Sequence, residues 1–536
     1  MRIRILHALT AFALILSGSA LSSRPAFAAS AKAGGESFEV VETTISQVHA
    51  AYKSGRLTAH QLVQAYLDRI NAYDKQGPKI NCVISLNPKA LEDADRLDAQ
   101  FKASGMVGPM HGIPVLVKDQ VDAAGMPTTL GSVIFKDYKP PLDSFVVAKL
   151  RKAGAIILGK TTLGEFGGGD AYGSLFGVSR NPYDPERTVG GSSGGSGACT
   201  SANFATVAVG EEGFASIRRP SSWNDLAGMR PSPGITSRTG IYAGWPEKTG
   251  QLGPIARTVE DLAKLLDGMA GYDTDDPLTS LGVGQIPDTY TKLLDKNGLK
   301  GARIGILREP MGRDSEPDSE DFKKVDAVFQ KNVAELKAAG ATVIDPIVIP
   351  DLKKLMATRA SMPGEADESI RLWMSRNPES PYKTLADVRN SPDIAKIIPA
   401  PKAAQWMHPP NADMAKYYAF LQARDQLAIN VMKVMADNKL DAIVHKSVEH
   451  QPTFIKDGIN PPYTNEKGAP SLNTFLIYAA SMTVPSGFTT DNLPTGITFF
   501  GRSFSEPTLL KLAYAYEQAT HHRIPPKTTP ALSAAK

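Results

Sequence analysis

Three polar positions could together assemble acyl-transfer chemistry: Lys118, directly after the apolar run 113–117; the Gly/Ser run GGSSGGS at 190–196, which holds Ser192 and Ser193; and Ser216 in GEEGFASIRRP. Singly, each has an ordinary reading as a solvated lysine, a flexible linker or a helix-capping serine. Together they offer what amide hydrolysis needs without histidine. One serine attacks, a second hydroxyl relays the proton, and a lysine kept neutral by a dry pocket accepts it.

Two short strings point to other chemistry. GAIILGKT at 154–161 fits the phosphate-binding pattern GxxxxGK[ST], but its middle residues Ala155, Ile156, Ile157 and Leu158 have the pattern of a buried strand. A phosphate cradle needs a turn of outward N–H groups there. GSSGG at 191–195 fits GxSxG, which would make Ser193 an esterase nucleophile served by His445, His450, His521 or His522. That turn follows directly on a strand, whereas residues 181–188 are polar and contain Pro182 and Pro185.

The elements that must position these residues follow from periodicity. Two helices are expected over 43–74, the second opened by Thr58 with Gln61 as a capping box, and a third from Asn87-Pro88 to about residue 103. Short apolar runs at 113–117, 155–158 and 206–209, with a helix near 144–153 between the first two, predict a mostly buried sheet. After Pro287 the pattern repeats: strand 303–307, a helix with Phe322, Val325, Phe329, Val333 and Leu336 on one face, Gly340 at its end, and strand 342–344. Helix 415–438, strand 441–445 and a last helix over 506–520 complete the chain. Residues 350–415 lack a clear period and are expected to form an irregular, substrate-facing cap.

The chain has 536 residues, 42% apolar and 21% charged, a globular composition able to bury a large core. Its first residues carry Arg2 and Arg4, an apolar run 8–21, and Ala26-Phe27-Ala28, the pattern of a cleaved export signal too short to anchor in a bilayer. Residues 1–28 are therefore expected to be a signal peptide and 29–536 a single domain, periplasmic or secreted, with no stable membrane anchor. Without Arg2, Arg4 and Arg24 the chain carries 56 basic against 55 acidic residues, so no basic stripe for nucleic acid is present. Only Cys82 and Cys199 are available to pair, and in so long a chain they are expected to be buried free thiols with no catalytic part.

At this breadth the sequence resembles the amidase signature family. The match runs through GPMHGIPVLVKDQVDAAGMPTTLGS at 108–132, AGAIILGKTTLGEF at 153–166, GGSSGGS, GQLGPIARTVEDLAKLL at 250–266, TVPSGF at 483–488 and LPTGITFFG at 493–501, within about residues 40–525. The resemblance implies an α/β/α fold with a large mixed central sheet covered by helices, its core motifs at about 85–270 and a variable substrate-facing region at about 310–480. It also implies a Ser-cisSer-Lys triad: Lys118 as base, Ser192 as bridging serine beside a cis peptide, and Ser216 as nucleophile. Backbone N–H groups of Gly213, Phe214, Ala215 and Ser216 would hold the oxyanion, and no cofactor or metal is expected.

Two stretches depart from the family pattern. Phe214-Ala215 stands where Gly-Gly is usual, which raises the question of whether a Cβ fits the loop, and Glu212 stands where Asp is usual, with Arg218 as its expected partner. Val444-His445-Lys446-Ser447 replaces a Thr-Pro-rich pocket segment, so His445 becomes a candidate for recognising a polar substrate group. Phe166, Tyr172, Ser193 and Trp245 are further pocket candidates by family position. The expected activity is an exported amidase acting on a small to medium carboxylic amide, with a carbamate or an ester as alternative substrates. A degenerate binding protein of the same fold is the contrasting reading. The sequence leaves oligomeric state open, a homodimer included, and a lysine that must lose its proton predicts a neutral to alkaline optimum.

Overall fold

The computed structural model describes residues 38–242, 250–397, 413–461 and 463–532. The expected signal peptide and Trp245 lie outside them. The strands are β1 (Val83–Leu86), β2 (Pro114–Lys118), β3 (Ile156–Thr161), β4 (Tyr172–Gly173), β5 (Gly177–Val178), β6 (Val207–Glu212), β7 (Ala227–Arg230), β8 (Gln251–Ala256), β9 (Arg303–Leu307), β10 (Thr342–Ile347), β11 (Ala442–Lys446), β12 (Ser481–Phe488) and β13 (Pro494–Phe500). Eleven form one sheet in the order β1-β3-β2-β6-β8-β7-β12-β13-β11-β9-β10, and β4 and β5 form a separate ribbon. Parallel pairing among β3, β2 and β6 and among β10, β9 and β11 flanks a centre that is antiparallel from β6 to β11.

Strands β2, β3, β6, β7, β8, β11 and β13 are buried at every position, and a strand with no wet face needs cover on both sides. Two sets of helices supply it. Gly194–Ser201 and Arg218–Trp223 pack together against the sheet centre, while Phe145–Lys152, Val259–Met269, Glu320–Ala338 and Glu506–Thr520 pack in a second row. This is the expected α/β fold around a large mixed sheet.

Local chemistry accounts for the helix limits. Thr58 opens helix Ala59–Tyr73 with a complete capping box, and Ser319 accepts the Phe322 N–H at the start of Glu320–Ala338. The five residues expected to form one face of that helix are all buried. The region after residue 350 is less irregular than expected, containing short helices Leu352–Met356, Glu365–Met374 and Leu385–Arg389. Trp373 and Leu385 from this region join Phe135, Phe166 and Tyr242 in an apolar cluster separate from the main core. Among the described residues no helix is long and apolar enough to cross a membrane.

The cysteine expectation is overturned. Cys82 and Cys199 form a disulfide with a Cα–Cα distance of 5.7 Å. Cys82 leads into β1 and its N–H is tied to the buried Asp74 carboxylate, while Cys199 lies in the fully buried helix Gly194–Ser201, so the fold brings together two buried cysteines 117 positions apart.

Candidate active site

Strands β2 and β6 run parallel with Val117 opposite Val209, so Lys118 and the pair Glu211-Glu212 emerge at neighbouring carboxyl ends. On its other side β6 meets antiparallel β8, and the candidate site lies beyond the carboxyl ends of β2 and β6. Two loops enter it: the one preceding helix Gly194–Ser201 brings Ser192, and the one preceding helix Arg218–Trp223 brings Ser216.

Lys118 Nζ donates to Ser192 Oγ at 2.7 Å, and Ser192 Oγ donates to Ser216 Oγ at 2.9 Å. The Gly191–Ser192 peptide bond is cis. Exposure rises along this chain of three, from 0% at Lys118 to 1% at Ser192 and 8% at Ser216, so the lysine is enclosed and Ser216 is the least buried of the three. A serine nucleophile must be reachable, and Ser216 is the more accessible of the two serines.

Ser193 is committed elsewhere. Its N–H donates to the Ser216 carbonyl at 3.0 Å, and its hydroxyl donates to the Glu211 carbonyl at 2.9 Å while accepting the Glu211 N–H at 3.1 Å. The residues before it form loop rather than strand, so the strand-to-helix turn that an esterase nucleophile needs is absent at this position. Lys160 is equally committed: it lies in a buried strand and donates to the carbonyls of Asp119 and Pro127 and to Thr128 Oγ1, which excludes a phosphate role.

None of Gly213, Phe214, Ala215 and Ser216 takes a positive φ. The Cβ atoms of Phe214 and Ala215 therefore carry no left-handed backbone strain, which answers the question raised by the missing Gly-Gly pair. The Phe214 ring lies under the Arg359 guanidinium, 4.2 Å from ring centroid to carbon. Glu212 braces the same loop from below: one carboxylate oxygen accepts the N–H groups of Ile217 and Arg218 at 2.8 and 2.9 Å, and the other takes the Arg218 side chain at 2.5 and 2.9 Å.

Two residues of the site escaped the sequence reading. Glu211 places a carboxylate oxygen 3.0 Å from Lys118 Nζ, with side chains 3% and 0% exposed. Arg219 donates to the Gly191 carbonyl at 2.9 and 3.2 Å and forms a buried ion pair with Asp170 at 2.7 Å. Arg219 follows Arg218 directly, and that pair of adjacent arginines is the signal for it; the apolar run before Glu211 ends at Val209 and gives none.

The pocket candidates separate. Phe166 is buried with φ 55° and edge-on to Phe135, two residues after Gly164, whose N–H bonds the Ser192 carbonyl. Tyr172 is buried against Gly458, a position where a Cβ would collide with its ring and hydroxyl. His445 is 1% exposed beside the Phe500 ring, and burial pushes its pKa down to about 3, so it is a neutral imidazole. Lys446 turns away to Asp326 at 2.8 Å.

Comparison with known proteins agrees with this geometry. The family pattern described as Amidase matches residues 61–510. A probable amidase of Arabidopsis thaliana is 31% identical over 91% of this chain and 92% of its own length. One subunit of the glutamyl-tRNA(Gln) amidotransferase of Microcystis aeruginosa is 33% identical over 90% of this chain and 99% of its own length. The native peptide amidase of Stenotrophomonas maltophilia superposes with a TM-score of 0.80 at 32% identity, covering 91% of this chain and 99% of that one. Sheet, loops and sequence thus converge, and the chain belongs to the amidase signature family, hydrolases of amide C–N bonds.

Proposed function

We propose that the protein is an exported amidase that hydrolyses a small to medium carboxylic amide through an acyl-enzyme on Ser216, with Ser192 as relay and Lys118 as base. The observation that carries this is the continuous run of hydrogen bonds from Lys118 through Ser192 to Ser216, 2.7 and 2.9 Å long. With the hydroxyl protons turned so that Ser216 donates to Ser192 and Ser192 to Lys118, Ser216 Oγ attacks the carbonyl carbon while its proton passes to Ser192 and the Ser192 proton passes to Lys118. The N–H groups of Gly213, Phe214, Ala215 and Ser216 stabilise the oxyanion, an interaction whose loss costs roughly 10² to 10³ in rate. Collapse expels the amine with a proton returned through the same relay, and water then releases the acid. Phe166 and Tyr172 form walls of the acyl site.

Export is supported by the basic-apolar-small order of residues 2–28 and by the Cys82–Cys199 disulfide, a bond that persists in oxidising compartments. The same features argue against the role named for the amidotransferase relatives, which would require a meeting with charged tRNA. A carbamate or ester is the second substrate class, because acyl transfer to Ser216 does not depend on an amine leaving group. A non-catalytic binder is the reading opposed by the buried lysine-serine-serine array.

The test is peptide mapping by mass spectrometry after fluorophosphonate treatment of the mature protein. An adduct on Ser216, absent in Ser216→Ala and lost in Lys118→Ala, is the expected result. An adduct on Ser193, or none, would sink the proposal.

A further inference from the structure

A lysine acting as a lone base must be neutral, and a carboxylate in contact with it favours the ammonium instead. Glu211 is in that position, with Oε2 3.0 Å from Lys118 Nζ and both side chains buried. Other charges around the pair do not remove the conflict. Arg230 of β7 feels Glu211, Glu212, Glu506 and Arg218; Glu212 is held by Arg218; and Asp119, next to Lys118, is paired with Lys160. The other strand beside β6, β8, carries no titratable side chain.

Building on the amidase reading above, we propose that Glu211 is the terminal proton acceptor of the relay and works through a Lys118 that is an ammonium before and after attack. Lys118 Nζ first passes one proton to Glu211 Oε2, and the lone pair this leaves takes the Ser192 proton while Ser192 Oγ takes the Ser216 proton and the Ser216 Oγ–carbon bond forms. The carbonyl π pair becomes the oxyanion. One negative charge vanishes from Glu211 as one appears on the oxyanion, so the site never creates a new ion pair in a dry environment, where separating charge is costly. On collapse the oxyanion pair re-forms the carbonyl, the C–N bond breaks, and the proton returns from Glu211 through Lys118 and Ser192 to the amine nitrogen. In deacylation, water gives up its proton along the same path.

Glu211 touches no substrate atom, so its role is read from a pH profile rather than from loss of activity alone. The experiment is the rate of fluorophosphonate labelling of Ser216 between pH 5 and 10 in the full-length mature protein, Glu211→Gln and Glu211→Asp, with Ser216→Ala as the blank. Free carboxyls titrate near pH 4 and free lysine amines near pH 10. The wild-type rate is expected to stay level down to about pH 6 and to fall only below it. In Glu211→Gln the rate at pH 7 falls roughly tenfold to a hundredfold and recovers toward pH 10, because Lys118 must then shed its proton to solvent. Glu211→Asp keeps the acid-side plateau at a lower rate.

A wild-type rate that climbs toward alkaline pH, with a limb that Glu211→Gln leaves in place or moves to lower pH, would overturn the role of Glu211 while leaving the serine mechanism standing. No labelling of wild-type Ser216 at any pH overturns both. If Glu211→Gln does not fold, the wild-type limb decides by itself.

Discussion

Arg219 donates to the Gly191 carbonyl, one residue before Ser192, at 2.9 and 3.2 Å, and so ties the helix that follows Ser216 to the loop that carries Ser192. The same guanidinium is ion-paired with Asp170, and both side chains are at most 1% exposed. Arg219→Met removes the donor and strands a buried carboxylate, which is expected to cost about 3 to 5 kcal/mol. Urea denaturation measures the loss, and the labelling rate of Ser216 is expected to fall in the fraction that remains folded.

Glu212 is expected to matter as a brace, since its carboxylate takes two N–H groups and the Arg218 side chain. Glu212→Gln leaves the buried Arg218 without a counter-charge and is expected to destabilise the fold by about 3 to 5 kcal/mol. A double-mutant cycle with Arg218→Met checks the assignment, and additive effects of the two changes would count against it.

Acid sensitivity has an identifiable contributor in Glu42. Burial alone would push its carboxyl up, but Arg523, 2.9 Å away, outweighs this and brings it to about 2 from 4.5. Because the folded value is the lower one, the stabilisation is complete above pH 4.5 and is lost as pH falls from there toward 2. Glu42→Gln is therefore expected to lower stability by up to about 3 kcal/mol at pH 7, a difference that disappears near pH 2, as chemical denaturation across pH would reveal.

The disulfide is expected to hold a large share of net stability. Closing a loop between residues 117 apart is worth about 4 to 5 kcal/mol in the chain-entropy model. The Cys82→Ser, Cys199→Ser double variant should unfold at lower guanidinium concentration. Unfolded wild-type protein should show no titratable thiol until reductant is added.

Lys118, Ser192 and Ser216 are legible because each sits in a long run whose residue order matches a known pattern, and helices such as Ala59–Tyr73 because capping and burial act within a few residues. Glu211 is not, because the apolar run that marks its strand ends at Val209. Pairing with β8 carries the strand through Glu212, and the resulting contact joins residues 93 positions apart. The cysteine pairing is hidden for a related reason: composition makes pairing improbable for two thiols in a long chain, and only the fold brings helix Gly194–Ser201 against the start of β1. Strands β7, β12 and β13 are not announced because AGMR, SMTVPSGF and PTGITFF break their apolar residues with Gly, Pro, Ser, Thr and Arg, so no continuous apolar run marks them.

Ser193 gives the site a mechanical property. Because its N–H grips the Ser216 carbonyl and its hydroxyl exchanges hydrogen bonds with the Glu211 backbone, the loop of Ser192, the loop of Ser216 and the strand end beneath them are fastened together. The spacing of the Ser192 and Ser216 hydroxyls is thereby fixed by the backbone around Ser193. Changes elsewhere in the chain can therefore leave the alignment of Ser192 with Ser216 in place.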